Sequence, residues 1–564
     1  MSPPTTLPDS QHAVQLVGPD ELRLNPAKAV PTPGPHQILV RVECTGLCFS
    51  DLKLLKQFSG HVRKGAIRQG IDQGVLASLP SYVPEDNPTV PGHEVVARII
   101  AVGDKVTRHK VGERVLVQAD FRTLKTHGSN GAFGYNFEGG LQEYVLFDER
   151  VVVEPGGERY LIPVEEHLGS SQAALVEPWA CVEDSYVTIE RQRIRQGGRL
   201  LIVAESGHAV QGLDGCLSKD GAPAEVFALV ADQPQREAVC GLFPSAQLLG
   251  GLEELDAETL DDVVYFGAKR GTIERLDGLL RAQGILAIAL GGRRVGEPVS
   301  IGVGRIHYGP TRIVATTTNS AADAYGLIPH TGEIRDGDSI LVVGAGGPMG
   351  QMHVIRDLCS GHRDITMMAT DTNDGRLRAL EHKARPFAEL NKVPFAIANT
   401  AVNPLEGSYS YVALMAPVGA LVADAIARSR PGAIVNVFAG IPAGVRQEID
   451  IDLLAQNRVF VFGTSGSTID DMKIVLRKVT SGQLNTDASV DAVSGMAGAV
   501  EGIRAVENRV MAGKIIVYPM LHDLPLIPLD RLGDHYPSVA ALLDHGQWCP
   551  AAEQELLRVA GAPT

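Results

Sequence analysis

Between about residues 10 and 155, short apolar runs are broken by Gly and Pro. QILVRVECTG, EVVARIIAVGDKV, GERVLVQ and LQEYVLFDERVVV predict β-strands joined by turns. Residues 57–90 do not keep this rhythm and read as a long excursion between two strands. From about residue 168, helical periods alternate with short β-branched runs, which predicts βαβ units around a parallel sheet. Near the C-terminus, PSVAALLDHGQWCPAAEQELLRVAG predicts one or two amphipathic helices that pack on the first domain.

The second half of the chain resembles itself. IRQGGRLLIVAESGHAVQG (194–212) aligns with IRDGDSILVVGAGGPMGQM (334–352), pairing Ile194 with Ile334 and Gly197 with Gly337. Further on, Asp232 and Asp371 end equivalent apolar runs, and RAQGILAIALGG matches RPGAIVNVFAGIP. The predicted fold is α/β, with two tandem doubly wound copies of roughly 140 residues, too long a period for a solenoid. Domain boundaries are expected at 1–181, 182–318 and 319–480, with 481–564 returning to the first domain.

Composition narrows the function. A 564-residue chain with 44% hydrophobic and 21% charged residues is ordinary globular material. A net charge of −15 and the absence of basic clusters argue against nucleic-acid binding, which rests on phosphate neutralisation. No run approaches the roughly 18–20 apolar residues of a membrane span. MSPPTTLPDSQHAVQL lacks the basic and apolar regions of a secretory leader, and seven cysteines are too sparse for a disulfide framework. A cytoplasmic protein acting on a small molecule is expected.

Two chemistries are legible. ILVVGAGGPMGQMHVIRDL runs from a buried-strand pattern through Gly344, Gly346, Gly347 and Gly350 into a helix. Glycines admit a pyrophosphate backbone-close, and the helix N-terminus supplies free N–H groups. Asp371 ends the next apolar run, where a carboxylate accepts from ribose hydroxyls and repels a 2′-phosphate. NAD(H) is thus expected over NADP(H), although Arg376 stands nearby. The first copy has Ala204, Ser206 and Val210 where the second has Gly344, Gly346 and Gly350, so it should not hold a dinucleotide in the same way.

The other chemistry is metal binding. Cys48, Ser50 and Asp51 lie in GLCFSDLK, His93 and Glu94 in PGHEVVARIIAVG, and Glu177, Cys181 and Glu183 in LVEPWACVEDSY. Thiolate, imidazole and carboxylate together suit a catalytic zinc with one open position.

GLCFSDLK, PGHEVVARIIAVGDKV, VGERV and EGGLQEYV, followed by GAGGPMGQMHV and EGIRAVENRVMAGKIIVYP, resemble the medium-chain zinc-dependent alcohol and polyol dehydrogenases. The sorbitol dehydrogenase and sorbose-phosphate reductase branch is the most similar part of that family. The resemblance covers about residues 10–182 and 319–520. It implies a GroES-like catalytic domain and Rossmann-like nucleotide domains, with the nicotinamide over the cleft between them. It also implies one catalytic zinc on Cys48 and His93, completed by Glu94 or Glu177, with Cys181 as the alternative. Asp51 would orient His93, and Ser50 would begin a proton relay from the substrate hydroxyl. The expected substrate is a polyol, sugar or sugar phosphate, and the expected assembly a homo-oligomer. Zinc-free reduction of a quinone or enone, or a non-catalytic NAD-binding scaffold, are the alternatives.

Three departures stand out. Lys53 occupies the position where many relatives carry a proton-relay histidine, and His61 is a possible substitute. No cysteine lies between Cys48 and Cys181, so no structural zinc is expected. The 57–90 excursion separates Cys48 from His93 more widely than usual, and its basic run HVRKGAIR is either a solvated loop or a sugar-phosphate contact.

Overall fold

The computed structural model describes residues 7–561. Residues 1–6, part of the stretch read above for a leader, lie outside it. The chain forms two compact units, Met1–Glu183 with Ser467–Thr564, and Asp184–Gly466. Among the described residues, no helix is long and apolar enough to cross a membrane.

The first unit begins its main sheet with β1 (Gln37–Gly46), which leads into helix α1 (Asp51–Gln57). Strands β2 (Glu94–Val102), β3 (Arg114–Val117), β4 (Tyr144–Asp148) and β5 (Leu161–Pro163) follow, then helix α2 (Val176–Val187). β1 pairs antiparallel with both β2 and β4, and the ladder continues through β3 to β5. Residues 57–90 contain only short helical turns and the five-residue helix Gln73–Ala77. They are pinned by Lys64, fully buried, whose ammonium donates to the carbonyls of Val83 and Asn87.

The second unit is one twelve-stranded sheet. Its first six strands in this sheet are β6 (Arg199–Ala204), β7 (Glu225–Val230), β8 (Gln247–Leu248), β9 (Leu260–Phe266), β10 (Leu280–Ala289) and β12 (Arg312–Thr316), with the short β11 (Val299–Ile301) outside it. The second half starts with β13 (Ser339–Val343), helix α3 (Pro348–Leu358), β14 (Thr366–Asp371) and helix α4 (Asp374–Leu390). It continues with β15 (Phe395–Asn399), β16 (Tyr409–Leu414), β17 (Ser429–Val437), the outlying β18 (Gln447–Ile449) and β19 (Phe460–Phe462).

Across the sheet the order is β8-β7-β6-β9-β10-β12-β19-β17-β16-β13-β14-β15. Numbered in chain order, each half reads 3-2-1-4-5-6, the doubly wound order whose switch point lies beside the first strand. Within each half the strands are parallel and almost wholly apolar, as strands covered on both faces must be. The halves meet through one antiparallel pairing, β12 with β19, while β11 pairs antiparallel with β18. Each half thus offers the same elements to the other.

The halves differ after their first strands. β13 runs into α3 with Pro348 at its first position, a residue pre-set for a helix start. β6 is followed by irregular chain with a single 3₁₀ turn, Asp214–Cys216. The two halves, expected to be copies, therefore differ in their helices at this point. Gly207, Gly212, Gly215 and Gly221 interrupt this stretch and leave no apolar helical period.

The chain then returns to the first unit with β20 (Val490–Ser494), α5 (Met496–Glu507), β21 (Lys514–Val517) and β22 (Ile527–Pro528). β21 joins β1 antiparallel through Ile516–Gly46 and Val517–Thr45. Behind the joint, Leu47, Leu52 and Leu55 pack in one apolar cluster with Ala499, Ile503 and Ile515. The C-terminal helix α6 (Pro550–Val559) docks on the same unit. Its buried Glu553 accepts from the backbone N–H groups of Ser170 and Ser171 and from the Tyr518 hydroxyl.

Candidate functional site

The metal-type donors collect where β1 ends and β2 begins. Cys48 lies on the turn between β1 and α1, His93 immediately precedes β2, and Glu94 opens it. Their ligand atoms all lie within 4.8 Å of one another. The antiparallel pairing of Gly46 with Glu94 closes this gap across the long 57–90 excursion.

His93 is held by its second nitrogen. Its Nδ1 is 2.9 Å from Asp51 Oδ1, so Nε2 is directed toward Cys48 and Ser50. A carboxylate on the far nitrogen fixes the tautomer and orientation of a metal-ligating imidazole. Ser50 Oγ stands 3.1 Å from both Cys48 Sγ and His93 Nε2.

Glu94 is fully buried, with Oε1 paired to the Lys514 ammonium and Oε2 buried without a hydrogen-bond partner. An unsatisfied carboxylate oxygen in the interior is costly, and a cation would relieve it. Glu177, on the first turn of α2, has its carboxyl pushed up by burial; the neighbouring Glu94 adds to this, and His93, Lys514 and Arg63 oppose it. Cys181 lies one turn further along α2. The structure brings Cys48, His93 and Glu94 together as a set, and places Glu177 in their electrostatic neighbourhood. The donor set and the orphaned oxygen fit a zinc-type ion.

Three further residues stand at this site: Lys514 and Arg63 lie in motif segments without an assigned role in holding the donors, and Tyr135 lies in none. Lys514 in the closing segment backs Glu94. Tyr135 is buried, hydrogen-bonds with Ser50, and places its ring 5.8 Å from the His93 ring. Arg63 lies with its guanidinium 5.6 Å from the centre of the Tyr135 ring. No spacing rule marks Tyr135, since it is brought in by loop packing. His61 also packs on Tyr135, at 5.2 Å, whereas Lys53 is exposed on α1. Burial, Arg63 and Lys53 push the His61 imidazole down to about 4.

A second donor group, His12, Glu143 and His522, satisfies itself. Glu143 accepts from the His12 backbone N–H and bonds the His522 ring, and the two imidazoles stack at 3.8 Å.

In the second unit, the glycine loop lies between β13 and α3. Gly344 has φ +79°, a conformation that favours glycine. A Cβ on Gly346 would fall 2.6 Å from Arg376 Cβ and 2.9 Å from Asp371 Oδ2, and one on Gly350 would fall 2.5 Å from the Gly344 carbonyl. Gly347 caps α3 and has open space around it. Asp371, at the end of β14, accepts from the N–H groups of Gly346, Thr372 and Asn373. Arg376 sits in the first turn of α4 beside the loop. In the first half, Asp232 likewise accepts from Ser206 and Gly207, but no helix N-terminus follows the loop after β6.

Residues 34–156 match the family model of the alcohol dehydrogenase GroES-like domain. An Escherichia coli protein, the uncharacterized YggP, is 23% identical over 48% of this chain and 70% of its own. Erythritol/L-threitol dehydrogenase of Mycolicibacterium smegmatis is 25% identical over 45% of this chain and 66% of its own. (R,R)-butanediol dehydrogenase of Bacillus subtilis is 30% identical over 27% of this chain, and that match spans only 39% of the enzyme. The crystal structure of 2R,3R-butanediol dehydrogenase from Bacillus subtilis shares the fold, with a TM-score of 0.51 at 15% identity over 90% of this chain and 100% of that one. Residues 34–156 thus carry an alcohol dehydrogenase GroES-like domain, and the chain is similar over these stretches to alcohol and polyol dehydrogenases.

Proposed function

We propose that this protein is a zinc-dependent oxidoreductase that transfers hydride between NAD(H) and a secondary alcohol or ketone of a polyol, sugar or sugar phosphate. The support is the convergence of Cys48, His93 and Glu94, with Asp51 orienting the imidazole and Glu94 Oε2 buried and unpartnered. Bound there, the metal would polarise a substrate oxygen as a Lewis acid, and the nicotinamide would supply the hydride-accepting carbon.

The remaining chemistry belongs to the chain. Cys48 and His93 would hold the ion, with Glu94 as third ligand and Glu177 as the exchangeable carboxylate. Ser50 takes the substrate hydroxyl proton at Oγ, and Tyr135 holds Ser50 in place. His61 accepts the Arg63 backbone N–H at Nδ1, so its proton rides on Nε2. Its pKa, pushed down to about 4, keeps it neutral near neutral pH. Asp371 favours NAD(H) because a 2′-phosphate would meet its carboxylate.

The 182–318 segment is proposed to be a duplicated Rossmann-like domain that has become architectural. The identical strand orders and the like-to-like pairing of β12 with β19 and β11 with β18 support this. Such self-complementary pairing is the geometry of a two-fold dimer contact. The joint supplies within one chain what the expected homo-oligomer would supply between two.

Metal analysis of the purified protein tests the function. About one zinc per chain is expected, lost in Cys48→Ser and His93→Asn, with polyol-dependent NAD reduction abolished by chelation. Full activity without zinc would sink the mechanism.

A further inference from the structure

Arg63 sits on the 57–90 excursion, and the site as described gives it no task. Among the described residues its guanidinium makes no ion pair or hydrogen bond; it faces the Tyr135 ring and acts electrostatically on the buried Glu177. It is half-buried, between buried His61 and fully buried Lys64. A guanidinium withdrawn from water without a carboxylate or carbonyl partner is unfavourable. Of the nearby carboxylates, Glu94 pairs with Lys514 and Asp51 with His93, while Glu177 feels the Arg63 charge with no salt bridge between them.

The segment that carries it is fixed. Lys64 is tied to Val83 and Asn87, the Ile67 N–H donates to the Tyr82 hydroxyl at 2.7 Å, and Asn136 donates to the Gly65 carbonyl at 2.9 Å. The fork is therefore held in advance against the Tyr135 ring, which also touches His93. Lys53 is a second cation in this neighbourhood, since it and Arg63 both act on His61. The Arg63 fork and the Lys53 ammonium together match the charge of a doubly charged oxyanion.

We propose that Arg63 determines substrate specificity by binding an anionic group, a phosphate ester, carried by the alcohol at a carbon removed from the reacting one. This rests on the oxidoreductase function proposed above. A carboxylate offers the same chemistry with one charge fewer.

The test uses the full zinc-loaded chain with glucitol, glucitol 6-phosphate and gluconate, in wild type, Arg63→Gln and Arg63→Lys. In wild type the phosphate ester is expected to exceed glucitol in kcat/KM by about tenfold or more, through KM. Arg63→Gln should bring that ratio close to one, and Arg63→Lys should keep part of it, which separates lost charge from a folding defect. Equal kcat/KM for the charged and neutral probes in wild type, or a ratio that survives Arg63→Gln, would overturn the proposal. A preference for gluconate over the phosphate ester would overturn the phosphate assignment. If none of the alcohols turns over, the oxidoreductase function fails, and calorimetry with glucitol 6-phosphate still reads the anion site. Binding lost in Arg63→Gln upholds it; no binding in wild type refutes it.

Discussion

At the scale of the residue, the metal-type site works by giving each donor a partner that leaves one atom available. Asp51 occupies Nδ1 of His93, and Lys514 occupies one oxygen of Glu94. His61 carries a testable electrostatic signature. Its folded pKa, pushed down to about 4 by burial, Arg63 and Lys53, lies below the usual imidazole range. Between pH 6.5 and about 4 the unfolded chain binds a proton that the folded imidazole refuses, so its contribution to stability is present above 6.5 and lost as pH falls through 4. The melting temperature of the first unit is expected to fall over that window, and His61→Gln should flatten the fall. An identical pH profile for the variant would show that another group governs it.

At the scale of the element, the two halves of the large sheet show what a dinucleotide loop requires. Three glycines of the second half stand where side chains would collide with Arg376, Asp371, Ala416 or the loop's own backbone. Gly346→Val should weaken NADH binding by roughly tenfold or more, about 1.4 kcal/mol, in a fluorescence titration. The first half has neither these glycines nor a helix after β6. Restoring glycine at Ala204, Ser206 and Val210 should therefore create no second binding event, because no helix N-terminus follows β6 to meet a phosphate. A stoichiometry of two NADH per chain in that triple variant would contradict this.

At the scale of the molecule, the like-to-like joint takes up the sheet edges of β12 and β19. The edges left over are the two-residue β8 and the short β15. Extension of the sheet through the joint by a second copy is closed off, and light scattering should return one chain of 60.0 kDa. A particle twice that mass would mean that another face associates.

Much of this was legible in the order of residues. Alternating and β-branched runs define strands, a glycine run between strand and helix defines a nucleotide loop, and thiol, imidazole and carboxylate define metal chemistry. These signals are local, set by covalent geometry, side-chain size and hydrogen-bonding type within a few positions. The sequence by itself therefore determined the α/β architecture and the glycine loop ahead of Asp371, and it pointed to a repeated half and to Cys48, His93 and Glu94 as candidate donors. Only tertiary structure decided that Glu94, rather than Glu177, lies with Cys48 and His93, that Lys514 backs it, and that Arg63 and Tyr135 reach the same place. It also decided that the halves meet through equivalent edges and that one of them lacks its first helix. Those facts depend on strand register and loop packing between residues far apart in the chain, which no local pattern encodes.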